Sequence, residues 1–343
     1  MTFSGCLSIN GRVPVRFLHF SDDGSMLVSL TEFVDLAFQK SAHMLQVWDV
    51  ETGSELFSTY IRHIRYMGEA VVYFSPNNDY LILPNLYREY NKTCIFDWRN
   101  DEIVTNFSET FHDWSDDGKY LAMENSDHNI EIWNATSFEV VKEVNVTITR
   151  GQKMSFSPDG SELAFVKYNE KCLYLYNVST GTIRQLDNSS IRFKNIFPNC
   201  LYILQWSDDG KNIAVTYDKS GIYGWIIVWN LSDGSILKDK KIKTLAAPIL
   251  SVDFKKYGFI TSDKSSQIYS RVLYVNDTLT DTEIFSVDFI ELTDYHFLIL
   301  DWSNLSNYIA IGGKDGVITI FDGDTGAVVD TLKTPVFSMS PGT

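Results

Sequence analysis

Three acidic pairs are the residues of this chain whose type and spacing first suggest metal chemistry. They are Asp22-Asp23, Asp116-Asp117 and Asp208-Asp209, and carboxylate oxygens are the ligands that calcium prefers. Each pair, however, lies in the same short phrase, where Asp caps the backbone amides of a tight turn. The stretch DGDTG at 322–326 also lacks the later ligands of a calcium loop. We interpret these residues as turn residues and predict no metal ion or other cofactor.

The six histidines give no clear catalytic arrangement. His112-Asp113 and Asp127-His128 are adjacent pairs, but neighbours on a strand point to opposite faces of a sheet. The motifs GxSxG, HExxH, GxGxxG and GxxxxGK[ST] do not occur in the sequence. A folded ring can still bring distant groups together, so a catalytic centre stays an alternative. The sequence favours a protein that is not an enzyme.

The elements that carry these residues repeat along the whole chain. The phrase FSPDGSELAFV at 156–166 recurs as WSDDGKYLAME at 114–124 and as WSDDGKNIAVT at 206–216. We call the residue that ends each predicted first strand the anchor, and successive anchors lie 40 to 54 residues apart. A four-stranded propeller blade takes about 40–50 residues. The predicted anchors are Phe20, Phe74, Trp114, Phe156, Trp206, Phe254 and Trp302.

Each repeat has the same order of strands and turns. A first strand ends at the anchor, a Ser-x-Asp-Gly turn follows, and a second strand leads to a third strand that ends in an aromatic residue. One four-stranded sheet is too small to be stable alone and must stack on its copies. We therefore predict an all-β, seven-bladed β-propeller of four-stranded antiparallel blades. The predicted third-strand positions are Trp48, Phe96, Trp133, Tyr176, Trp229, Val275 and Phe321, with Trp133 buried.

The FSPDG turn together with VWDVETG resembles the Trp-Asp (WD) repeat β-propellers. The resemblance covers nearly the whole chain, but the copies diverge: no Gly-His dipeptide occurs, and the tight-turn Asp of the family is present only at Asp127 and Asp315. The resemblance implies a scaffold for protein–protein interaction. First strands of the WSPDGKxLAF type also resemble a neighbouring kind of propeller found beside peptidase domains. The fold alone does not decide between these functions.

Composition excludes several classes of partner. The net charge of −15 argues against nucleic acid or an anionic membrane as the main partner, because both require a basic surface. Four scattered cysteines without a CxxC pair, and an N-terminal segment without signal-peptide features, predict a cytoplasmic protein. We expect it to be monomeric or a subunit of a larger complex.

The ends of the chain and one insertion leave open questions about the ring. We expect a single propeller over residues 1–343, with 335–343 as a tail or the start of another repeat. Either residues 1–10 or residues 327–333 would supply the outer strand of the last blade. Any helix is expected only within the insertion at 32–43.

The two faces of the predicted propeller differ. The short turns after the first and third strands share the turn face, and the longer connections open on the loop-rich face. Functional residues concentrate in such long connections, and Arg beside Tyr and Trp is typical of binding hot spots. The alternative is that these aromatic residues only pack the loops down. The predicted partner-binding residues are Arg62, Arg65, Tyr66, Tyr87, Arg88, Tyr90, Arg192, Phe193, Lys194, Tyr223 and Trp225.

Two functional hypotheses follow from these surfaces. The first is a scaffold that binds a protein or peptide partner, an acidic segment in particular, on the loop-rich face. The second is a propeller enzyme or small-ligand binder of the hydrolase-associated type that uses the central channel. The second requires that polar residues preceding the anchors converge on the axis; these are His19, Asp113, Gln205, Asp253 and Asp301. The basic run LKDKKIK at 237–243 is interpreted as protection of an edge strand.

Overall fold

The computed structural model is a ring of seven antiparallel sheets. Its described residues contain strands and turns but no helix. The prediction of a seven-bladed β-propeller with four-stranded blades is therefore confirmed. The structure describes residues 6–7, 14–35, 40–62, 72–84, 93–148, 153–167, 172–186, 202–219, 223–263, 270–290, 299–313 and 315–334.

Each blade uses four consecutive strands, paired in chain order. Blade one consists of β2 (Val15–Phe20), β3 (Met26–Asp35), β4 (Lys40–Asp49) and β5 (Glu55–Arg62), and an additional strand, β1 (Cys6–Leu7), pairs with β3. Blade two consists of β6 (Tyr73–Phe74), β7 (Tyr80–Pro84), β8 (Thr93–Asp97) and β9 (Glu102–Phe107). Blade three consists of β10 (Thr110–Trp114), β11 (Tyr120–Glu124), β12 (Asn129–Asn134) and β13 (Val140–Thr147).

The remaining four blades repeat this arrangement. Blade four consists of β14 (Ser155–Phe156), β15 (Glu162–Val166), β16 (Leu173–Asn177) and β17 (Ile183–Gln185). Blade five consists of β18 (Tyr202–Trp206), β19 (Asn212–Lys219), β20 (Tyr223–Asn230) and β21 (Ile236–Lys243). Blade six consists of β22 (Ile249–Leu250), β23 (Lys256–Asp263), β24 (Ser270–Asp277) and β25 (Glu283–Ile290). Blade seven consists of β26 (Ile299–Trp302), β27 (Tyr308–Gly312), β28 (Val317–Asp322) and β29 (Val328–Lys333).

The hydrophobic core is divided into seven clusters, and each lies between two neighbouring blades. Between blades four and five, for example, Leu175 packs in one cluster with Trp206 and Trp229. A blade thus buries both faces of its sheet against its neighbours, as the small size of one sheet requires.

The Ser-x-Asp-Gly phrase forms the predicted turn after the first strand. In blade four the Ser157 hydroxyl donates to Asp159 Oδ1 at 2.6 Å, and Asp159 Oδ1 accepts the Ser161 amide at 3.0 Å. Gly160 has a φ of +67°, a conformation that is unfavourable for residues with a Cβ. The same Ser-to-acceptor bond recurs in six blades, where its acceptors are Asp23, Asn77, Asp117, Asp159, Asp209 and Asp253.

Blade six corrects the predicted register. Leu250 pairs with Tyr257 as Phe20 pairs with Leu27, so the anchor of this blade is Leu250 and not Phe254. Phe254 instead occupies the Gly position of the turn, with a φ of +55°. The third-strand position shifts as well: Asn276, not Val275, pairs with Tyr257. The turn of blade six was not recognised in the sequence because the aromatic residue Phe254 occupies its left-handed position.

The insertion in blade one also differs from the expectation. Residues 32–35 and 40–43 are not helical but lengthen β3 and β4, which pair from Met26–Asp49 to Asp35–Lys40. Phe33 and Val34 in this segment favour strands, and their pairing continues the hairpin of β3 and β4. Residues 36–39 lie outside the described residues.

The ring closes without a shared strand. The N-terminal β1 pairs with β3 of blade one, Cys6 with Asp35 and Leu7 with Val34, so the expectation that it would join the last blade is wrong. The alternative, the segment 327–333, is borne out by β29 as the outer strand of blade seven. Blades one and seven meet through side-chain packing and through the bond from the Val15 amide to the Gly313 carbonyl at 3.0 Å.

Tryptophan burial differs between equivalent positions of the third strands. Trp229 is 0% exposed and Trp48 is 4% exposed, whereas Trp133 is only partly buried and packs edge-on against Phe107. The expectation of a fully buried Trp133 is therefore wrong. Its indole nitrogen donates to Glu131, on the same strand, at 2.9 Å.

We predict that Trp229→Ala lowers the free energy of unfolding by about 3–5 kcal/mol, the usual loss for a large buried aromatic residue. Trp133→Ala is the matched control at the equivalent position, and we expect a smaller loss because its ring is partly exposed. Urea unfolding followed by fluorescence measures both. Equal losses would contradict the burial difference.

We predict that Gly312→Ala destabilises the protein by about 1–3 kcal/mol, the usual range for overpacking. A Cβ at this position would lie 2.7 Å from Val15 Cγ1, at the closure of blades one and seven. In a Val15→Gly background both Cγ1 and the Cβ, which lies 2.9 Å from the added Cβ, are absent, so the added cost of Gly312→Ala should fall. If the two effects are simply additive in thermal unfolding, the close approach does not limit the closure.

Candidate functional site

The first strands surround a central cavity of about 560 Å³. Each blade contributes the residue that precedes its anchor. The polar members come from six blades, and blade six contributes an apolar residue. These residues are His19, Tyr73, Asp113, Ser155, Gln205, Ile249 and Asp301.

This arrangement largely fits the predicted channel residues. His19, Asp113, Gln205 and Asp301 line the cavity. Asp253 does not precede an anchor, because the anchor of blade six is Leu250; its carboxylate accepts the Ser251 hydroxyl within the turn. Tyr73 and Ser155 were missed, although they precede the correctly predicted anchors Phe74 and Phe156.

Two of the channel carboxylates connect adjacent blades. Asp113 Oδ2 of blade three accepts the Phe156 amide of blade four at 2.6 Å, and Asp301 Oδ2 of blade seven accepts the Phe20 amide of blade one at 2.8 Å. Burial raises the pKa of Asp113 to about 7, although the Phe156 amide opposes this shift. Each of these carboxylates therefore links two neighbouring blades.

The cationic groups of the cavity wall also have partners. His19 Nδ1 lies 3.2 Å from Asp301 Oδ2. Burial opposes protonation of His19, but the charge and hydrogen bond of Asp301 and the charge of Asp22 together outweigh it, so the pKa of His19 is raised. Lys153 Nζ donates to the Tyr73 hydroxyl at 2.7 Å. These contacts form a polar wall across blades seven, one, two and four.

The two Asp residues of each acidic pair have different roles at the turn-face end of the cavity. The second Asp of each pair caps its turn, as predicted. The first Asp of each pair, namely Asp22, Asp116 and Asp208, lines the cavity and accepts no hydrogen bond from any described residue. The equivalent positions in the other blades are Pro76, Pro158, Val252 and Asn304, which complete this ring, here called the channel mouth.

A buried carboxylate bridges two histidines in blade three. Glu124 Oε2 lies 3.0 Å from His112 Nε2, and Glu124 Oε1 bonds to His128 Nδ1. Burial by itself would raise the pKa of Glu124, but the hydrogen bonds and charges of the two histidines outweigh it and lower this pKa. Sequence spacing did not reveal this contact, because it joins a first strand to the end of the second.

We predict that Glu124→Gln lowers the free energy of unfolding by about 1.5–3 kcal/mol at neutral pH, the range for hydrogen bonds to charged groups. Because folding lowers the pKa of Glu124, this stabilisation is present above the ordinary value of 4.5 and is lost as the pH falls through the lowered one. Urea unfolding at several pH values measures it. Glu143→Gln, exposed on neighbouring β13, is the matched control. A pH-independent difference between the variants would contradict the role of the carboxylate.

The loop-rich face is uneven because some second-to-third strand hairpins are longer than others. The hairpins of blades one, five and six have strands of eight to ten residues, whereas those of the other blades have five or six. In blade five Trp225 stacks on Tyr217 at 5.2 Å between ring centroids. Lys241 Nζ lies 3.8 Å from the Tyr223 ring centroid and 5.0 Å from that of Trp225. We call Tyr223, Trp225 and Lys241 the blade-five cluster.

The predicted partner-binding residues fall mostly where the structure gives no description. Tyr223 is 40% exposed, whereas Trp225 is partly buried against the core of blade five. Arg62 is the last residue of β5. The others lie outside the described residues and stay predictions; they are Arg65, Tyr66, Tyr87, Arg88, Tyr90, Arg192, Phe193 and Lys194.

The basic run of β21 is partly a connection between blades. Lys238 is buried, donates to the Thr278 carbonyl at 2.5 Å and pairs with Asp281 of blade six. Lys240 donates to the Tyr257 hydroxyl at 2.8 Å. The prediction of edge protection does not account for these two lysines, because their partners are in the next blade.

The part of the chain that the structure describes has neither a metal-binding cluster nor a membrane-spanning helix. No group of three or more His, Cys, Asp or Glu side chains there is placed to hold a metal ion. Within the same residues, no helix is long and apolar enough to span a membrane.

The sequence matches one curated protein in part. No protein-family model matches the chain. Protein hir1 of Schizosaccharomyces pombe is 24% identical in an alignment of 177 residues that covers 44% of this chain. The matched part spans only 18% of that protein.

Solved structures share the fold at low identity. The Cps50 (Swd1) β-propeller domain of Myceliophteria thermophila has a TM-score of 0.52 at 13% identity, covering 80% of this chain and 88% of its own. KlHsv2 with loop 6CD replaced by a Gly-Ser linker has a TM-score of 0.57 at 11% identity, and the match covers 94% of this chain and 100% of that one. Hydrazine synthase of Kuenenia stuttgartiensis has a TM-score of 0.55 at 13% identity, with coverages of 77% and 86%. The chain is thus a seven-bladed β-propeller, and its repeated strand-turn phrase resembles that of WD-repeat proteins.

Proposed function

We propose that this chain is a non-catalytic scaffold that binds a protein or peptide partner on the loop-rich face. The observation that carries the proposal is the blade-five cluster, where a lysine ammonium lies against an exposed tyrosine on a lengthened hairpin. Aromatic rings beside a cation are typical of binding hot spots, and such a surface suits an acidic segment with an apolar side chain. The Arg and Tyr residues predicted at the neighbouring loops would extend the same surface.

Two further observations agree with this proposal. The channel carboxylates Asp113 and Asp301 accept backbone amides of the next blade, which leaves them poorly placed for catalysis. Cys94 is a buried free thiol whose pKa burial raises to about 12, as suits a cytoplasmic protein that does not use this cysteine chemically. The likeness to hydrazine synthase concerns the fold and transfers no reaction to this chain.

We predict that Tyr223→Ala with Lys241→Ala abolishes recovery of a stoichiometric partner in affinity purification from native extract. Both side chains project from strands whose backbone pairing does not depend on them, so the fold should be unchanged. Val328→Ala with Lys333→Ala, on the exposed outer strand of blade seven, is the matched control. The variant Arg65→Glu with Tyr87→Ala extends the comparison to residues outside the described part.

Comparison of the two double variants distinguishes binding at the blade-five cluster from binding elsewhere. A partner retained by the blade-seven control and lost from the blade-five variant supports the proposal, and its association should be faster at low salt. A partner that all variants retain, or no stoichiometric partner with the unaltered protein, contradicts the proposed surface.

A small-ligand binder using the central channel is the second candidate. It is favoured by the cavity of about 560 Å³ with Gln205 and Ser155 among its polar lining residues. Mass spectrometry of molecules released from the purified protein tests it, and a stoichiometric small molecule would favour this candidate over the scaffold.

A further inference from the structure

The half of the central cavity nearer the loop-rich face differs chemically from the channel mouth. First strands run from the loop-rich face to the turn face, so the residues that come earlier in each strand lie nearer the loop-rich face. The cavity-lining residues in this early position include Phe111, Lys153 and Ile203. Ile203 is 43% exposed, and Lys153 is the single lysine among the described lining residues. This half of the cavity therefore combines apolar surface with one ammonium group.

Lys153 forms no ion pair with any described residue. Its Nζ donates to the Tyr73 hydroxyl at 2.7 Å and lies 4.9 Å from the centre of the same ring. Lys153 leads into blade four, whereas Tyr73 belongs to blade two, so the ammonium group reaches across the channel past blade three. A phenol hydroxyl does not neutralise this half-buried charge, and burial of an unpaired charge is costly. An anionic ligand would supply the missing counter-charge.

The Tyr73 hydroxyl is a second hydrogen-bond donor at the same point. It accepts the bond from Lys153, and it donates its own proton to no described residue. The ring is held by His19 at 5.1 Å and by Phe111 at 5.5 Å between ring centroids. Two donors 2.7 Å apart suit the two oxygens of a carboxylate, and hydrogen bonds to a charged acceptor are among the strongest in proteins.

The carboxylates of the cavity wall are engaged elsewhere. Asp301 lies 3.2 Å from His19 and also accepts a backbone amide of blade one. Asp113 accepts a backbone amide of blade four, and burial raises its pKa to about 7, so this group is partly protonated at neutral pH. The acidic residues of the channel mouth lie at the opposite end of the first strands. Lys153 therefore determines the charge that a ligand meets in the loop-rich half.

The size and charge of the cavity limit the kind of anion that fits. A volume of about 560 Å³ is typical of pockets for small organic molecules. One lysine balances one negative charge, whereas a phosphate dianion would bring a second charge towards Asp113 and Asp301. Phe111, Ile203 and Ile249 offer apolar surface on which the rest of a ligand can be buried. These properties fit a carboxylate with an apolar body.

We propose that the loop-rich half of the central cavity binds an organic monocarboxylate. Its carboxylate accepts hydrogen bonds from Lys153 Nζ and the Tyr73 hydroxyl, and its apolar body packs against Phe111 and Ile203. The inference rests on the second candidate function, the binding of a small ligand in the channel, and names the chemical class of that ligand. It does not involve the blade-five cluster.

The test measures the dissociation constant of 3-phenylpropanoate by saturation-transfer NMR. Lys153→Met removes the charge but keeps a long side chain, and should weaken binding about ten- to a hundredfold, the loss expected for a hydrogen bond between charged groups. Tyr73→Phe keeps the ring contacts and removes only the hydroxyl, so a smaller loss of about three- to tenfold is expected. Lys333→Met, at the exposed end of β29, is the matched control and should bind like the unaltered protein.

Two further ligands separate the charge from the apolar body. Both are measured with the unaltered protein, so their results do not depend on how well a variant folds. 3-Phenylpropanamide has the same apolar body without the charge and should bind about tenfold more weakly or worse. Acetate has the charge without the apolar body and should show a loss of at least the same size.

Three outcomes would overturn the inference. Equal binding by Lys153→Met and Lys333→Met would mean that the carboxylate does not contact Lys153. Equal binding of the acid and its amide would mean that the cavity selects only an apolar body; the second candidate function would then stand without this inference. Absence of 3-phenylpropanoate binding is the third outcome. In that case a stoichiometric molecule without a carboxylate, released from the purified protein, would still support the second candidate function, and no released molecule would contradict both.

Discussion

Burial between neighbouring blades is the constraint on which the rest of this structure depends. All seven hydrophobic clusters among the described residues lie at the contact of two blades. A single sheet has no core of its own, so each blade is stable only when both neighbours are in place. This requirement fixes the first strands around one axis and thereby creates the cavity at the centre of the ring.

The same constraint determines which polar residues are available for binding. Asp113 and Asp301 are oriented by the amides that they accept from the following blade, so their position in the channel serves the contact between blades. Asp116 stands only three residues beyond Asp113, past the last paired residue of the strand, and accepts no hydrogen bond from the described residues. Identical side chains at nearby positions of one blade thus have different roles.

Much of the fold could be predicted from the sequence because its signals are local. The Ser-x-Asp-Gly turn and its flanking strands recur, and counting them gave seven blades. Where the local signal fails, the predicted register was wrong: Phe254 occupies a turn position that Gly fills in four other blades, and the anchor was therefore placed four residues too late. The contact of Glu124 with His112 and His128 could not be predicted, because it depends on which residues of paired strands face each other. The channel residues were predicted well, since the position before the anchor has the same orientation in every blade.

The closure between blades one and seven differs from the other contacts in one respect. Consecutive blades elsewhere are joined by the chain, but these two are held by packing around Val15 and Gly312 and by a few hydrogen bonds. The N-terminal strand pairs within its own blade and does not bridge this contact. Under a force that pulls residues 14 and 334 apart, the load falls on this noncovalent seam first. In mechanical terms, the contact between the first and the last blade is the point at which the ring opens.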